Sequence, residues 1–308
     1  MDLVVVETPF GAFHAYEDDL VTEHLRDFGG HQRPDLAAMR SLVREGDVVL
    51  DIGANIGTFA IPLAASVGPS GRVFGFEASP TNADVLRRNV RSNDLIDRVV
   101  VVEGVVSDRA IAYEREEFEG NLAATRFVPS AGAAGGEGPA VVHLDEWAVE
   151  TLGADTRIDV VKIDVEGMDV DVLRSARSLI ARWLPVVSIE VAAHELESRG
   201  REPADIGRIL EPLGYRLFRN IAERNGAHDD FRIGQLRSVD HGGPFYDLLA
   251  IHPDSGRVPA DLVPPSEMAQ WTKELRSTLR RLRVARLRRA GSRRLAAVLD
   301  REKAATAN

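Results

Sequence analysis

The residues with the clearest chemical potential form a turn, Asp51-Ile-Gly53-Ala54-Asn55-Ile-Gly57, entered from the apolar run Val48–Asp51 and left near Thr58. Glycine lets a backbone take left-handed conformations and approach a ligand closely. Open α/β sheets bind their ligands at the carboxyl ends of the strands, where this turn would lie. The spacing is not G-x-G-x-x-G, because Asn55 stands where the second glycine would be, so the turn makes a poor cradle for a pyrophosphate. Asp51 adds a negative charge that suits an ammonium or a sulfonium better than a phosphate. A second run, Arg72–Glu77, ends in an acid. It lies roughly 20 residues beyond the glycines, the distance at which a carboxylate accepts both hydroxyls of a ribose. The competing structural reading makes Glu77 a solvated strand-end acid ahead of a helix that starts at Ser79-Pro80.

A second cluster follows later in the chain. Asp164 and Glu166 flank the tip of the apolar run Val160–Asp164, Glu190 sits near the end of Val186–Val191, and His194 lies just beyond. Two chemistries fit. His194, Asp164 or Glu190 could take the proton of a hydroxyl nucleophile. Alternatively, Asp164, Glu166 and Glu190 could supply oxygen ligands to Mg2+ or another divalent cation, which would lower the pKa of a bound hydroxyl. The structural alternative has Glu166-Gly167 shaping a turn and Glu190 pairing with Lys162. Lys162, inside an apolar strand, calls for a carboxylate partner in either case. His14, His31, His143, His228 and His241 show no metal-ligand spacing.

These residues need a scaffold. Leu3–Tyr16 predicts a β-hairpin around Pro9 and Gly11, and residues 34–45 a helix with Pro34 in its first turn. Strands are expected at Val48–Asp51, Arg72–Glu77, Val99–Val102, Val160–Asp164 and Val186–Val191. Helices are expected at Phe59–Ser66, Asn82–Val90 and Val170–Trp183. Apolar strands alternating with helices describe a parallel sheet covered on both faces. A helix at Pro203–Leu213 then leads to strands at Arg216–Asn220 and Tyr246–His252, whose connection has no crossover helix and so favours antiparallel pairing. Residues 130–138, rich in Gly and Ala, read as a flexible insert. The loop Ala222–Phe245 is the expected substrate lid.

The chain of 308 residues has no cysteine, which excludes disulfides and thiolate metal sites. It shows neither a secretory signal nor a run of about 20 apolar residues, so a cytoplasmic location is expected. Net charge is −10, yet Lys273–Lys303 carries twelve Lys/Arg against three Asp/Glu. An acidic body argues against tracking along nucleic acid, and no aromatic residue follows Trp271 to stack on bases. The basic tail, with Trp271, Leu275, Leu279 and Leu282 at helical spacing, suits packing on the domain or a homodimer. Peripheral contact with an anionic membrane is the alternative.

The stretches GDVVLDIGANIGTFAIPLA, VFGFEASPTNADVLRRNV, VVHLDEW and IDVVKIDVEGMDVDVLRSA together resemble the FkbM family of S-adenosylmethionine-dependent methyltransferases. The likeness runs from about Gly46 to His252. It implies a Rossmann-like, seven-stranded, mostly parallel sheet with an antiparallel last strand. The domain would span 46–254, capped by the hairpin and helix of 1–45 and followed by a linker and basic tail over 255–308. It further implies S-adenosylmethionine as cofactor. Asp51, Gly53, Ala54, Asn55 and Gly57 would stand around its methionine part, Glu77 and Ala78 at the ribose, Gly104 and Val105 beside the adenine, and Asp164 at the reacting end. The implied activity is O-methylation of a sugar, glycosylated or polyketide-type metabolite. N-methylation is a weaker alternative, since D-V-E-G stands after the fourth strand where an N-P-P-Y signature would be. A non-catalytic nucleotide-binding or scaffold protein is the third reading.

Overall fold

Along each central strand, neighbouring apolar residues belong to opposite cores: Val49 to one and Leu50 to the other, Val73 and Phe74 likewise, then Val160 and Val161, and Val186 and Val187. That alternation is the pleat of a sheet buried on both faces. The computed structural model describes residues 2–116, 125–130, 138–223, 225–239, 245–275 and 277–278.

In chain order the strands are β1 (Leu3–Thr8), β2 (Gly11–Tyr16), β3 (Val48–Ile52), β4 (Arg72–Glu77), β5 (Val99–Glu103), β6 (Val105–Val106) and β7 (Tyr113–Glu116). They continue with β8 (Arg126–Pro129), β9 (Val141–Val142), β10 (Val160–Ile163), β11 (Val186–Ala192), β12 (Arg216–Asn220), β13 (Ile233–Gln235) and β14 (Phe245–Ile251). The helices are α1 (Leu20–Phe28), α2 (Arg33–Arg40), α3 (Ala60–Ser66), α4 (Pro80–Ser92), α5 (Leu144–Trp147), α6 (Asp169–Ser175), α7 (Arg177–Trp183), α8 (Ala193–Ser198) and α9 (Pro203–Leu210).

The main sheet runs β13-β12-β14-β11-β10-β3-β4-β5. Strands β11, β10, β3, β4 and β5 pair in parallel, while β14 is antiparallel to both β11 and β12. The class is the expected mostly parallel α/β sheet with an antiparallel hairpin at one end. The expected seven strands are eight, because Ile233–Gln235, inside the supposed lid loop, adds a short edge strand to β12. Of that loop, residues 224 and 240–244 lie outside the described residues. The single helix expected at Val170–Trp183 breaks at Ala176 into α6 and α7. α1, which the sequence reading missed, is closed by local caps: the Asp19 carboxylate accepts from the Val21 N–H, and Gly29 ends it in the left-handed region.

The N-terminal hairpin forms as expected, with Leu3 opposite Tyr16 and Thr8 opposite Gly11. Its outer strand docks on α4 through amide side chains. The Asn89 Oδ1 accepts from the His14 N–H at 2.7 Å and its Nδ2 donates to the His14 carbonyl at 3.0 Å, while Asn93 makes the same pair of bonds with Ala12 at 3.0 and 2.8 Å. Two asparagines one helical turn apart thus satisfy a strand edge that would otherwise stay unpaired.

Residues 1–263 form one compact unit and 264–308 a second. Of the second, the described part is a helix over 265–275 followed by residues 277 and 278. Most of the basic tail, residue 276 and 279–303, lies outside the described residues, as do 131–137 of the Gly/Ala-rich insert. Among the described residues no helix is long and apolar enough to cross a membrane.

Candidate active site

The parallel register sets Lys162 of β10 directly beside Asp51 of β3. Both are buried, and the ammonium lies 3.1 Å from the Asp51 carboxylate, 3.5 Å from Asp164, 3.3 Å from the Gly53 carbonyl and 4.9 Å from the centre of the Phe59 ring. This is the carboxylate partner that Lys162 required. Burial works against the charged ammonium, but Asp51 and Asp164 outweigh it and hold Lys162 above its usual range, so it stays protonated. Asp51 is fully enclosed, and its charge anchors the base of the turn rather than reaching a ligand.

Just above this pair the strand tips are laced together. The N–H groups of Gly53 and Ala54 both donate to the Phe76 carbonyl at 2.9 Å, and that of Asp164 donates to the Ile52 carbonyl at 3.0 Å. Gly53 has φ +81, and a Cβ there would come within 1.8 Å of the Asp164 carbonyl oxygen, so no other residue fits. Asn55 takes the left-handed region at φ +49 and presents its N–H to the Glu77 Oε2 at 2.8 Å, while Ser79 N–H donates to the Glu77 Oε1, also at 2.8 Å. The strand-end carboxylate is therefore aimed by two backbone amides. Its desolvation outweighs them and pushes the pKa up to about 7.

These groups border a cleft at the carboxyl ends of β3, β4 and β10. Of the residues singled out in the sequence, Gly53, Asn55, Glu77, Ala78, Gly104, Val105, Asp164 and Glu166 line it. Ala54 and Gly57 stand behind the wall. A Cβ on Gly75 would be 3.1 Å from that of Ala54, and one on Gly57 would be 2.6 Å from Leu86, so both positions serve packing under the turn.

The sequence reading missed the apolar wall. Phe76, Val106, Val165 and Met168 line the cleft, with Thr125 and Phe127 from β8 and the residue before it. Val105, Tyr113, Phe127 and Met168 form a small hydrophobic cluster of their own beside the two main cores. Asn82 of α4 also lines the cleft, and its Oδ1 accepts from the Tyr16 hydroxyl at 3.0 Å, which ties the N-terminal hairpin to the site. Asn82 follows Pro80 in the helix start, a position where sequence gives no reason to expect a ligand-facing side chain.

Of the second expected cluster, Asp164 and Glu166 line the cleft while Glu190 and His194 do not. His194 is largely exposed at the start of α8, with its Nε2 2.8 Å from the buried Glu195 carboxylate, which also pairs with Arg126. Glu190 pairs across the sheet with Asp247 of β14 and is absent from the cleft wall. The oxygen cage expected from Asp164, Glu166 and Glu190 does not form: among the described residues no group of three or more His, Asp or Glu side chains is arranged to hold a metal ion. Asp164 leans toward Lys162, and Glu166 sits in a left-handed turn at φ +51, where burial and the neighbouring Asp164 and Glu190 push its carboxyl up to about 9.

The family model described as the methyltransferase FkbM domain matches residues 51–217, more than half of the chain, from the end of β3 through β11. Methyltransferase sdnD of Sordaria araneosa is 26% identical over 219 residues, covering 62% of this chain and 82% of that protein. A probable cobalt-precorrin-6B C(15)-methyltransferase (decarboxylating) of Saccharolobus solfataricus is 32% identical over 69 residues, or 22% of this chain. The match spans only 35% of that relative's length. Among solved structures, methyltransferase FkbM from Methylobacillus flagellatus aligns at a TM-score of 0.41 and 17% identity, covering 68% of this chain and 47% of that one. With the family match extending over more than half of the chain, including the whole stretch from Asp51 to Glu77, this chain belongs to the FkbM methyltransferase family.

Proposed function

We propose that this chain transfers the methyl group of S-adenosylmethionine to a hydroxyl oxygen of a sugar, a glycosylated metabolite or a polyketide-type metabolite. The observation that carries the reading is Glu77, a carboxylate on the cleft wall whose two oxygens are aimed by the Asn55 and Ser79 amides. Each oxygen keeps a lone pair for a ribose hydroxyl. The donor set suits the rest of the cofactor too: Phe76, Val105 and Val106 offer an apolar slot for a base, and Asp164 and Glu166 offer acid at the end where a sulfonium and an ammonium would lie. When bound, S-adenosylmethionine supplies an electrophilic methyl on a positively charged sulfur.

The chain's own contribution is to hold the acceptor oxygen in line and to take its proton. Asp164 is the proton acceptor in this reading. It lines the cleft, with its carboxylate 3.5 Å from the Lys162 ammonium. The apolar wall of Phe127 and Met168 keeps water from the transfer. This reading routes the proton to Asp164 without a divalent ion, in keeping with the lack, among the described residues, of three His, Asp or Glu groups arranged to hold one.

The test is methyl transfer from a 13C-methyl donor to a panel of sugar and polyketide alcohols, with the carbon shift of the product methyl separating O- from N-methylation. The reading expects an O-methyl product, turnover that survives exhaustive EDTA, and a large loss of kcat in Asp164→Asn. A product methylated on nitrogen would contradict the acceptor. Turnover lost in His194→Ala and kept in Asp164→Asn would move the base to His194.

A further inference from the structure

Strand β8 has two different faces. Thr125 and Phe127 line the cofactor cleft, while Arg126 and Val128 face a separate cavity of about 440 Å³ on the other side of the strand. The alternation is the ordinary period of an extended chain, so one short strand is the wall between two chambers. The lining of the second chamber carries more cationic than acidic side chains. Four arginines, Arg109, Arg126, Arg199 and Arg201, border it, against the carboxylates of Glu116 and Asp171.

Two of these arginines are already matched: Arg201 pairs with Asp171 at 2.7 Å and Arg126 with Glu195. Arg199 is not. Its guanidinium donates to the carbonyls of Phe127 at 3.1 Å and Glu166 at 3.3 Å, both residues of the cleft wall, and among the described residues it meets no carboxylate within ion-pair distance. Arg109 is exposed at the rim and likewise makes no ion pair among the described residues. A chain of net charge −10 has no general attraction for anions. Guanidinium groups gathered in one cavity with charge to spare therefore mark a local site for a carboxylate or a phosphate monoester, which they bind as planar forks.

We propose that this cavity binds a small anion, a carboxylate or a phosphate monoester, on the side of β8 away from the cofactor cleft. Arg199 links the two chambers, because it grips the backbone of Phe127 and Glu166 from the cavity side. Arg199 is on this account a positioning residue for the cleft wall, and Arg109 and Arg126 touch the anion.

The experiment is calorimetric titration of the full chain with inorganic phosphate, glucuronate and glucose at constant ionic strength in chloride. S-adenosylhomocysteine is titrated into the same preparations. Saturable binding of phosphate or glucuronate, none of glucose, and about tenfold weaker anion binding in both Arg109→Gln and Arg126→Gln are expected. A phosphate-only result assigns a phosphate monoester, and a glucuronate-only result a carboxylate. No saturable binding of either anion overturns the proposal, as does anion binding unchanged in both variants. Arg109→Gln removes an exposed side chain without an ion pair, so its fold is safe, and retained S-adenosylhomocysteine binding verifies this in each variant. If the anions bind and S-adenosylhomocysteine does not, the anion site stands and the methyl-transfer reading falls.

Discussion

The two ends of the sheet carry near-copies of one device, a buried cation between two aspartates, and they use it differently. At the amino end of the strands, Arg257 reaches back to Asp47 just before β3 at 2.6 and 2.7 Å and to Asp159 just before β10 at 3.3 Å, and it donates to the Leu42 carbonyl. The aspartates are satisfied besides, since Asp47 accepts from the Arg44 N–H and Asp159 from the Val48 N–H. Every polar group in that cluster has a partner, and the cluster closes the sheet. At the carboxyl end Lys162 binds Asp51 and Asp164, but the second aspartate borders an open cleft whose other acids, Glu77 and Glu166, have proton affinities raised by burial. A closed cluster gives stability. An open one, with carboxylates held out of water and facing a cavity, is a place for a cationic ligand and for proton transfer.

The largest effect should come from breaking the closed end. Arg257→Met leaves two buried carboxylates without their cation and should cost about 3–5 kcal/mol in urea denaturation, while S-adenosylhomocysteine affinity of the folded fraction stays unchanged. A change in affinity with no loss of stability would erase the contrast between the ends. At the open end the order reverses. Glu77→Ala should weaken S-adenosylhomocysteine by roughly 10- to 150-fold in calorimetry, the range of a charged hydrogen-bonding partner worth about 1.5–3 kcal/mol.

A smaller effect follows from pH. Burial raises Glu77 to about 7, so the carboxylate is largely ionised at pH 8 and largely protonated at pH 6. A ribose that needs the ionised form should bind about tenfold more weakly one unit below that pKa, and Glu77→Gln should flatten the profile. The same shift has a sign for stability. The folded chain holds this proton to higher pH than the unfolded one, so the contribution of Glu77 to stability falls as pH rises from about 4.5 to 7. The smallest effect is at the hairpin. Tyr16→Phe removes the hydroxyl that holds Asn82 at the cleft and should cost about 1 kcal/mol of stability, with a slight loss of cofactor affinity.

What could be read from the chain was local. The glycine turn at Gly53, the acid at the end of β4 and the alternation of strands and helices all follow from residues within a few positions of one another. The need of Lys162 for a carboxylate was also legible, because a cation inside an apolar strand has few other fates. What stayed hidden depends on distant pairing. Arg257 lies far along the chain from Asp47 and Asp159, and nothing near it in sequence announces either. The asparagines that cap the hairpin edge look like ordinary helix-surface residues. The wall built from Thr125 and Phe127 belongs to β8, a strand too short to show a period. The oxygen cage did not follow either: Asp164, Glu166 and Glu190 share one end of the sheet, near enough for their charges to act on Glu166, yet among the described residues no three such groups are arranged to hold a metal ion.

The most direct test of the central claim, that the cleft over Gly53, Asn55 and Glu77 is a methyl-donor site, is calorimetry of the full chain with S-adenosylhomocysteine at pH 8. A single saturable site, strongly weakened in Glu77→Ala, is the predicted result. No heat of binding at millimolar ligand, in a chain shown to be folded by circular dichroism, would contradict it.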